Sequence, residues 1–541
     1  MPTIRRVIAV ILCVYAAGNA LWLWENQNRC VGSAYHARHF MRAAQFYNLA
    51  EGYSPPSKFY RALHEDRFYP APLHSLTSAV GMTIFGKNVP LVTGFINFLY
   101  FAASLMFLAI LAAELGYPPA VAAWALILYA LYPAVYGMSR LYGAFDFQVA
   151  AMTPLAAVVL LRTRQFASRR HCLILAAVAA TGLLIKDTFA LYFGAVFLLT
   201  AFQALRGSAD RRRRVNILIL LGTVAAAVAI YYAHPVVIYK ELTELLREPT
   251  GSRYLLDDWR AYTLEIPQGV MSWPFFLFFL GSLFWLARRR PLDERSKFLL
   301  AWIVPSWAII CLMPHYKQPS YFVPILPAAA LVSAAGLCAL SKRPRTAAAA
   351  ILLSAGIAQY GAFSFGLGGG LFGPAYFQPE QTVVFSKGFP VEIDPYQQVV
   401  ARIVEVNARE RRENKILVLQ AYGHQTSMTF YHFFNWLHDL ELESSGGVAQ
   451  MFEGSFLEEH YDKVLLPIPE TWDTKRYLQE LHAESRVLAK RAWLKGAANS
   501  LEKTTPESFE VRLERFLAQF PVKEEVGRDG TNVLWLLSRR P

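Results

Sequence analysis

Long apolar runs recur through the first two-thirds of the chain, and short polar segments separate them. Runs of this kind are typical of helices that cross a bilayer with a hydrocarbon core of about 30 Å, although several are short for that purpose. The pattern predicts eleven membrane spans, at residues 7–24, 89–113, 120–138, 147–161, 172–185, 188–205, 215–233, 269–287, 298–313, 321–340 and 346–366. Trp22 and Trp24 stand where a signal peptide would have a small-residue cleavage site, so we interpret the first run as an uncleaved span.

The long loop between the first two spans, residues 25–88, has two patterns of its own. A stretch from His36 to Leu49 is amphipathic, and Leu73–Phe85 is apolar but too short to cross a bilayer. We therefore predict helices that lie at the membrane interface in this loop.

After residue 366 the pattern changes to short β-type runs that alternate with helical stretches. The runs are KILVLQ (Lys415–Gln420), DKVLLPI (Asp462–Ile468) and NVLWLL (Asn532–Leu537). Such alternation predicts a small soluble α/β domain over residues 367–541, with neither a phosphate loop nor a nucleophile elbow. The predicted fold class is thus mostly α, a polytopic membrane domain over residues 1–366 followed by this α/β domain.

The amino-acid composition also indicates a membrane protein, and the distribution of charge argues against one class of partner. Only 17% of the residues are charged and 55% are hydrophobic, whereas soluble domains have about a quarter charged residues. The net charge of +13 is unevenly distributed: residues 1–366 hold 33 Lys and Arg against 16 Asp and Glu, and residues 367–541 hold 20 against 24. The basic excess belongs to the membrane domain, so we predict no nucleic-acid partner.

The loop charges also predict an orientation. With the N-terminus in the cytoplasm, the cytoplasmic loops hold 19 basic and four acidic residues, while the opposite side of residues 1–366 holds 14 basic and 12 acidic ones. Cytoplasmic loops of membrane proteins carry such an excess of Lys and Arg. An odd number of spans then places residues 367–541 outside the cytoplasm.

Ionisable side chains gather at the predicted outward ends of the spans, where charges are costly and suggest a function. The set consists of Glu65, Asp66, His74, Arg140, Asp146, Lys186, Asp187, His315 and Lys317. Carboxylates beside cationic groups can activate a hydroxyl and bind a phosphate. Each has a structural alternative: Lys186 and Asp187 as an interfacial ion pair, Glu65 and Asp66 as a solvated loop tip, the two histidines as interface residues, and Asp146 as a helix N-cap.

Four short motifs occur in order along residues 1 to about 345. They are YPAPLH (Tyr69–His74) followed by FGKN (Phe85–Asn88), Ser139-Arg140 followed by Asp146, GLLIKDT (Gly182–Thr188), and KQPSYFVPILP (Lys317–Pro327). Together they resemble the membrane-embedded GT-C superfamily of polyprenyl-phosphate-dependent glycosyltransferases. The likeness is to the protein mannosyltransferase and lipid A aminoarabinose transferase type.

The resemblance implies an inverting transfer of one sugar from an undecaprenyl- or dolichyl-phosphate donor to a lipid, glycan or protein acceptor on the extracytoplasmic face. It also implies roles for individual residues. The catalytic acids would be Asp146, Asp66 or Glu65; the donor-phosphate contacts would be Lys317, Lys186, Arg140 and Tyr321; the substrate contacts would be Tyr69, His74, His315 and Tyr35. No cofactor is assigned, and a divalent metal ion stays an open alternative.

One departure from the family pattern bears on the site. The family usually has an Asp or an Asp-Glu pair just after the first span, shortly before a tyrosine, and that acid acts as the catalytic base. Here residues 29–36 read RCVGSAYH, with no carboxylate near Tyr35. Either Glu65, Asp66 or Asp146 takes the role, or the activity is altered or lost. Ser320 also stands where the family often has arginine, which would leave Lys317 to hold the lipid phosphate alone.

Two other function classes stay open. A transporter or flippase of lipid-linked sugars would place ionisable residues near the bilayer midplane and often shows internal repeats, whereas here they crowd one face and no repeat is found. A non-catalytic scaffold would keep the fold and lack the base. A bacterial inner membrane with a periplasmic tail is the simpler location, although an endoplasmic reticulum membrane with a lumenal tail has the same sidedness.

Overall fold

Helices occupy almost all of the described residues that precede residue 366. The computed structural model describes residues 2–25, 34–52, 63, 72–140, 145–206, 210–235, 237–238, 270–289, 291–312 and 319–365, residue 518, and five strands between residues 415 and 538. The chain divides into two compact units. One consists of Met1–Cys30 and Arg42–Phe389, the other of Val31–Met41 and Pro390–Pro541.

Fourteen α-helices and one 3₁₀ segment (Pro319–Ile325) lie in the described residues. In the first half of the chain they are α1 Pro2–Glu25, α2 Ala34–Ala50, α3 Leu73–Phe85, α4 Val89–Glu114, α5 Pro119–Leu131, α6 Pro133–Met138, α7 Phe145–Arg162, α8 Arg169–Ile185, α9 Phe189–Arg206 and α10 Arg211–Tyr232. After them come α11 Trp273–Arg288, α12 Glu294–Leu312, α13 Leu326–Ala339 and α14 Lys342–Phe365.

Each predicted span falls on helical residues, but not all of the helices are long enough to cross a bilayer. By length and composition, eight helices of the described residues qualify. The predicted span at residues 120–138 is wrong as a single helix: it is divided into α5 and α6 at Tyr132, whose backbone is extended (φ −64°, ψ 126°). The cause is Pro133, because proline disfavours a helical conformation in the residue before it. The chain is a multi-pass membrane protein, and eleven spans stay a prediction.

The two helices predicted in the loop 25–88 are both present. α2 covers the amphipathic stretch, and α3 has the predicted bounds Leu73–Phe85 and ends at Gly86, whose φ is +62°. At 13 residues α3 is too short to cross a bilayer, as the sequence indicates.

Burial distinguishes the inner helices of the membrane unit from the outer ones. Most residues of α7 and of the segment Ser320–Ala339 are buried by other helices, whereas α1 and α10 bury only about a fifth of theirs. An apolar helix inside the bundle is covered by other helices on all sides, whereas lipid covers the outward faces of an outer helix. The first turn of α7, which contains Asp146, therefore lies within the helical bundle.

The second unit contains a five-stranded mixed sheet. Its strands are β1 Lys415–Val418, β2 Glu443–Gly446, β3 Lys463–Pro469, β4 Val522–Asp529 and β5 Asn532–Ser538, in the order β2-β1-β3-β5-β4. β1 pairs in parallel with β2 and β3, and β5 pairs antiparallel with β3 and β4. The three predicted β-type runs are strands. The predicted helices lie almost entirely outside the described residues, as does the domain boundary at residue 366, so the α/β class stays a prediction.

The orientation can be tested by cysteine labelling from the two sides of the membrane. Because the basic loops are expected in the cytoplasm, a cysteine introduced at Gly446 should react with an impermeant reagent added outside, and one at Arg212 should be protected until the membrane is opened. The experiment uses a variant without the native cysteines and monitors its expression. The opposite labelling pattern would refute the predicted orientation.

Candidate active site

A buried ion pair joins the beginning of α7 to the end of α8. The Lys186 ammonium donates hydrogen bonds to both carboxylate oxygens of Asp146, with Nζ 2.8 Å from Oδ1 and 2.9 Å from Oδ2. Both side chains are almost completely buried. Asp146 lies in the first turn of α7 and Lys186 directly follows α8, so each charge lies at the helix end whose dipole favours it.

Two of the predicted residues are thus brought together, and one structural alternative is corrected. Lys186 forms its ion pair with Asp146, which links two helices. It does not pair with Asp187 across the tight turn. The carboxylate of Asp187 instead accepts a hydrogen bond of 2.8 Å from the backbone N–H of Thr188 and is exposed. The sequence places Asp187 next to Lys186, but the packing of α7 on α8 decides which carboxylate is the partner.

The ring of Tyr321 contacts the cation of this pair. The Lys186 ammonium lies 4.5 Å from the centre of the Tyr321 ring, a distance at which the ring face attracts a cation. The Tyr192 hydroxyl of α9 donates a hydrogen bond of 2.8 Å to the backbone carbonyl of Tyr321 and so fixes the 3₁₀ segment against α9. Tyr321, predicted as a phosphate contact, therefore contacts Lys186.

His74 of α3 packs against the same turn of α7. Its buried ring meets the Phe145 ring edge to face, with centroids 4.9 Å apart, and its Nε2 lies 3.5 Å from Nε2 of Gln148. Phe145 directly precedes Asp146 in sequence, and Gln148 lies two positions after it. We call Asp146, Lys186, Tyr321, Tyr192 and His74 the carboxylate cluster.

A second cluster surrounds Arg140, which is 1% exposed. The guanidinium donates a hydrogen bond of 2.9 Å from Nε to the Asn19 amide oxygen on α1. Three rings lie 5.2, 5.5 and 5.3 Å from the guanidinium carbon, belonging to Trp22, Tyr136 and Tyr360 in turn. We call these five residues the guanidinium cluster.

The backbone before Arg140 is held from two helices. Asn97 of α4 donates from its side-chain amide to the Ser139 carbonyl at 2.8 Å, and Asn19 donates to the Ser139 hydroxyl at 3.3 Å. Asn19 thus contacts both Ser139 and Arg140 through opposite ends of one amide. Gly18 lies so close to the Tyr360 hydroxyl that a side chain there would collide with it.

The Arg140 charge has no carboxylate partner in the described part of the chain. Nη2 makes no hydrogen bond to any described residue. An unpaired buried ion costs several kcal/mol, and each cation–π contact returns about 0.5 to 2 kcal/mol. Three rings and one amide therefore offset part of the cost and leave a cation that an anionic ligand would stabilise further.

Several predicted site residues lie outside the described residues, namely Glu65, Asp66, Tyr69, His315 and Lys317, and the side chain of Tyr35 is not described either. Among the described residues, no group of three or more His, Cys, Asp or Glu side chains is arranged to hold a metal ion.

Sequence reasoning missed the residues that surround Arg140. Asn19 and Asn97 are strongly polar residues inside apolar runs, and such residues commonly make hydrogen bonds between helices in membranes. This is a usable sequence signal. Trp22, Tyr136 and Tyr360 carry no such signal, because aromatic residues are abundant throughout the spans.

The arrangement described so far is that of a multi-pass helical membrane protein with a buried Asp–Lys pair and a buried arginine at helix ends. No protein-family model and no curated protein sequence matches the chain. Solved structures do match. The crystal structure of ArnT from Cupriavidus metallidurans bound to undecaprenyl phosphate has a TM-score of 0.53 and 13% identity, covering 98% of this chain and 97% of that one.

Two further structures agree. ArnT of the same organism in the apo state has a TM-score of 0.53 and 14% identity and covers 93% of both chains. The Archaeoglobus fulgidus oligosaccharyltransferase in the apo form has a TM-score of 0.52 and 12% identity, covering 88% of this chain and 71% of that one. ArnT, a lipid A aminoarabinose transferase, and this oligosaccharyltransferase both belong to the GT-C superfamily. The chain therefore shares its fold with these two proteins, which confirms the fold implied by the four motifs.

Proposed function

We propose that this chain is a membrane glycosyltransferase that uses a polyprenyl-phosphate-linked sugar as its donor. Support comes from the shared fold with ArnT, one crystal structure of which holds undecaprenyl phosphate. Further support comes from the ordered motifs along the membrane unit. In this proposal the lipid tail of the donor stays in the bilayer, and its phosphate meets cationic side chains at helix ends.

The observation that carries the proposal is the buried Arg140 guanidinium, which has no carboxylate partner in the described residues. Arginine matches the geometry of a phosphate because two parallel N–H groups can bind two oxygens. Asn19 binds Nε and leaves Nη2, which makes no hydrogen bond to the described residues, for such a ligand. A donor phosphate would complete the guanidinium cluster.

The proposed base is Asp146. The acceptor hydroxyl oxygen attacks C1 of the sugar, the hydroxyl proton passes to the Asp146 carboxylate, and the bond between C1 and the phosphate oxygen breaks. The polyprenyl phosphate leaves as an anion near Lys186 and Arg140, and direct displacement inverts the configuration at C1. Since Lys186 binds both oxygens of Asp146, the carboxylate must exchange part of this pairing before it can accept a proton.

The remaining predicted roles are part of the same proposal. Glu65 or Asp66 would replace the acid that is missing before Tyr35, Lys317 would contact the donor phosphate, and Tyr69 and His315 would contact substrate. The proposed location is a bacterial inner membrane, with the N-terminus in the cytoplasm and the second unit on the extracytoplasmic side. The turnover assay below identifies the sugar that is transferred and whether the acceptor is a lipid, a glycan or a protein.

A turnover assay tests the proposal. The purified full-length protein is reconstituted in liposomes with a panel of polyprenyl-phosphate sugars and an envelope extract as the source of acceptor. We expect at least one donor to be consumed with release of free polyprenyl phosphate, and Asp146→Asn to abolish that release. Consumption of no donor would contradict the proposal and favour a scaffold, and movement of an intact donor across the bilayer would favour a flippase.

A further inference from the structure

One basic surface is formed by the end of α7, the loop that follows it, and the first turns of α8 and α10. Eight arginines belong to it: Arg162, Arg164, Arg169, Arg170, Arg211, Arg212, Arg213 and Arg214. Arg162 pairs with Glu114, and Arg213 lies 3.6 Å from Asp210. The other six side chains are exposed and form no ion pair with the described residues. We call these six the arginine surface.

The backbone of the loop is held in a conformation that its residues rarely adopt. Arg164, Gln165 and Phe166 have φ values of 52°, 56° and 64°, in the left-handed region that favours glycine. Such a conformation persists only where surrounding contacts enforce it. Here the Phe166 ring is fully buried, and the Thr163 hydroxyl accepts a hydrogen bond of 3.2 Å from the Phe166 N–H.

Two hydrogen bonds tie this loop to α10. Asn216 donates from its side-chain amide to the Phe166 carbonyl at 2.8 Å, and Arg213 donates to the Gln165 side-chain oxygen at 3.2 Å. The loop and the helix end are thus held together although the bonded residues are 50 and 48 positions apart in the chain. The backbone segments that carry the arginine surface are therefore held in fixed positions relative to each other.

The positive charges on this surface lie close together and add to one positive potential. Arg211, Arg212 and Arg214 lie in the first turn of α10, where the helix dipole is itself positive and favours anions. Asp210, the N-cap, accepts the Arg212 N–H and supplies one negative charge against six arginines. Phosphate groups would relieve this repulsion, and arginine binds them with two parallel hydrogen bonds.

The apolar residues beside the arginines identify the kind of phosphate. One to four residues further along α10 and α8, the chain exposes Val215, Leu218, Ile174 and Leu173, between 40% and 68% of each side chain. In a multi-pass membrane protein these side chains face acyl chains. A ligand that contacts both surfaces carries its phosphate directly above acyl chains, as a phospholipid does.

We propose that the arginine surface is a binding site for the headgroup of an anionic phospholipid, with the acyl chains along the exposed apolar residues of α8 and α10. This site lies apart from the two clusters that the proposed reaction uses. It does not depend on that reaction.

The test measures lipid retention by the purified full-length protein with native mass spectrometry, after addition of equal amounts of cardiolipin and phosphatidylethanolamine. We expect the unmodified protein to retain cardiolipin in preference. The triple variant Arg211→Gln, Arg212→Gln and Arg214→Gln should retain about tenfold less or lower still, because each basic residue near a membrane surface adds to the attraction. The double variant Arg164→Gln and Arg170→Gln, in the loop after α7 and the first turn of α8, should weaken cardiolipin retention several-fold.

The matched control is Arg288→Gln, Arg289→Gln and Arg343→Gln, which removes three exposed arginines at the end of α11 and the beginning of α14, on the same predicted side. It should retain cardiolipin as the unmodified protein does. Equal loss in both triple variants, or no preference for cardiolipin in the unmodified protein, would overturn the proposal. Displacement of cardiolipin by excess inorganic phosphate would show a site for free phosphate and overturn the assignment to lipid. Melting temperatures verify that each variant is folded.

Discussion

Arg140→Met is expected to have opposite effects on the free protein and on ligand binding. Polyprenyl phosphate should bind at least about thirtyfold more weakly, since loss of one partner of a buried charge pair costs about 2 kcal/mol or more. Without ligand, the melting temperature should stay the same or rise, because the variant removes a buried charge that has no carboxylate partner in the described residues. Both quantities are measured by thermal unfolding with and without undecaprenyl phosphate.

The opposite signs separate a ligand contact from a structural role. A purely structural arginine would lower the melting temperature of the free protein when replaced and leave the ligand-induced shift intact. Arg162→Met serves as the control, because Arg162 forms an exposed pair with Glu114 whose contribution is about 0 to 1 kcal/mol. It should change neither quantity appreciably. Arg140→Lys keeps the charge without the planar fork and should bind with intermediate affinity.

Variants of the ion pair between Asp146 and Lys186 are expected to change stability and turnover in different ways. Asp146→Asn or Lys186→Met alone should lower the free energy of unfolding by about 3 to 5 kcal/mol, because each leaves one buried charge uncompensated. The double variant should lose clearly less. Turnover should fall by about 10²-fold or more in Asp146→Asn and stay low in the double variant, which still lacks the base.

Denaturation and donor consumption are measured on the same four proteins. If turnover recovers in the double variant together with stability, the pair is structural and Asp146 is not the base. If the single variants are as stable as the unmodified protein, the buried pair described between α7 and α8 is wrong. Either outcome redirects the proposed base toward Glu65 or Asp66.

The hydrophobic pattern predicted the positions of the membrane helices well because a bilayer imposes length and polarity on every span. It failed where proline acts locally, as at Pro133, which divides one predicted span into α5 and α6. In the second unit it identified the interior strands β1, β3 and β5 by their apolar runs. It missed β2 and β4, which are the edges of the sheet and have polar sequences that edge strands tolerate.

The candidate site was predictable as a list of residues and not as a geometry. Ionisable residues near membranes are few, which is why Arg140, Asp146 and Lys186 could be selected from the sequence. Their partners depend on which helices pack together. Lys186 therefore binds Asp146, 40 positions away, instead of its neighbour Asp187, and Arg140 is surrounded by residues of α1, α6 and α14.

The most direct test of the central claim is a structure of this protein with polyprenyl phosphate bound. The account predicts phosphate oxygens within about 3 Å of the Arg140 guanidinium, the distance of a charge-assisted hydrogen bond, and the lipid tail directed into the bilayer. A phosphate bound elsewhere, with the Arg140 guanidinium still enclosed only by Asn19 and its three aromatic rings, would contradict it.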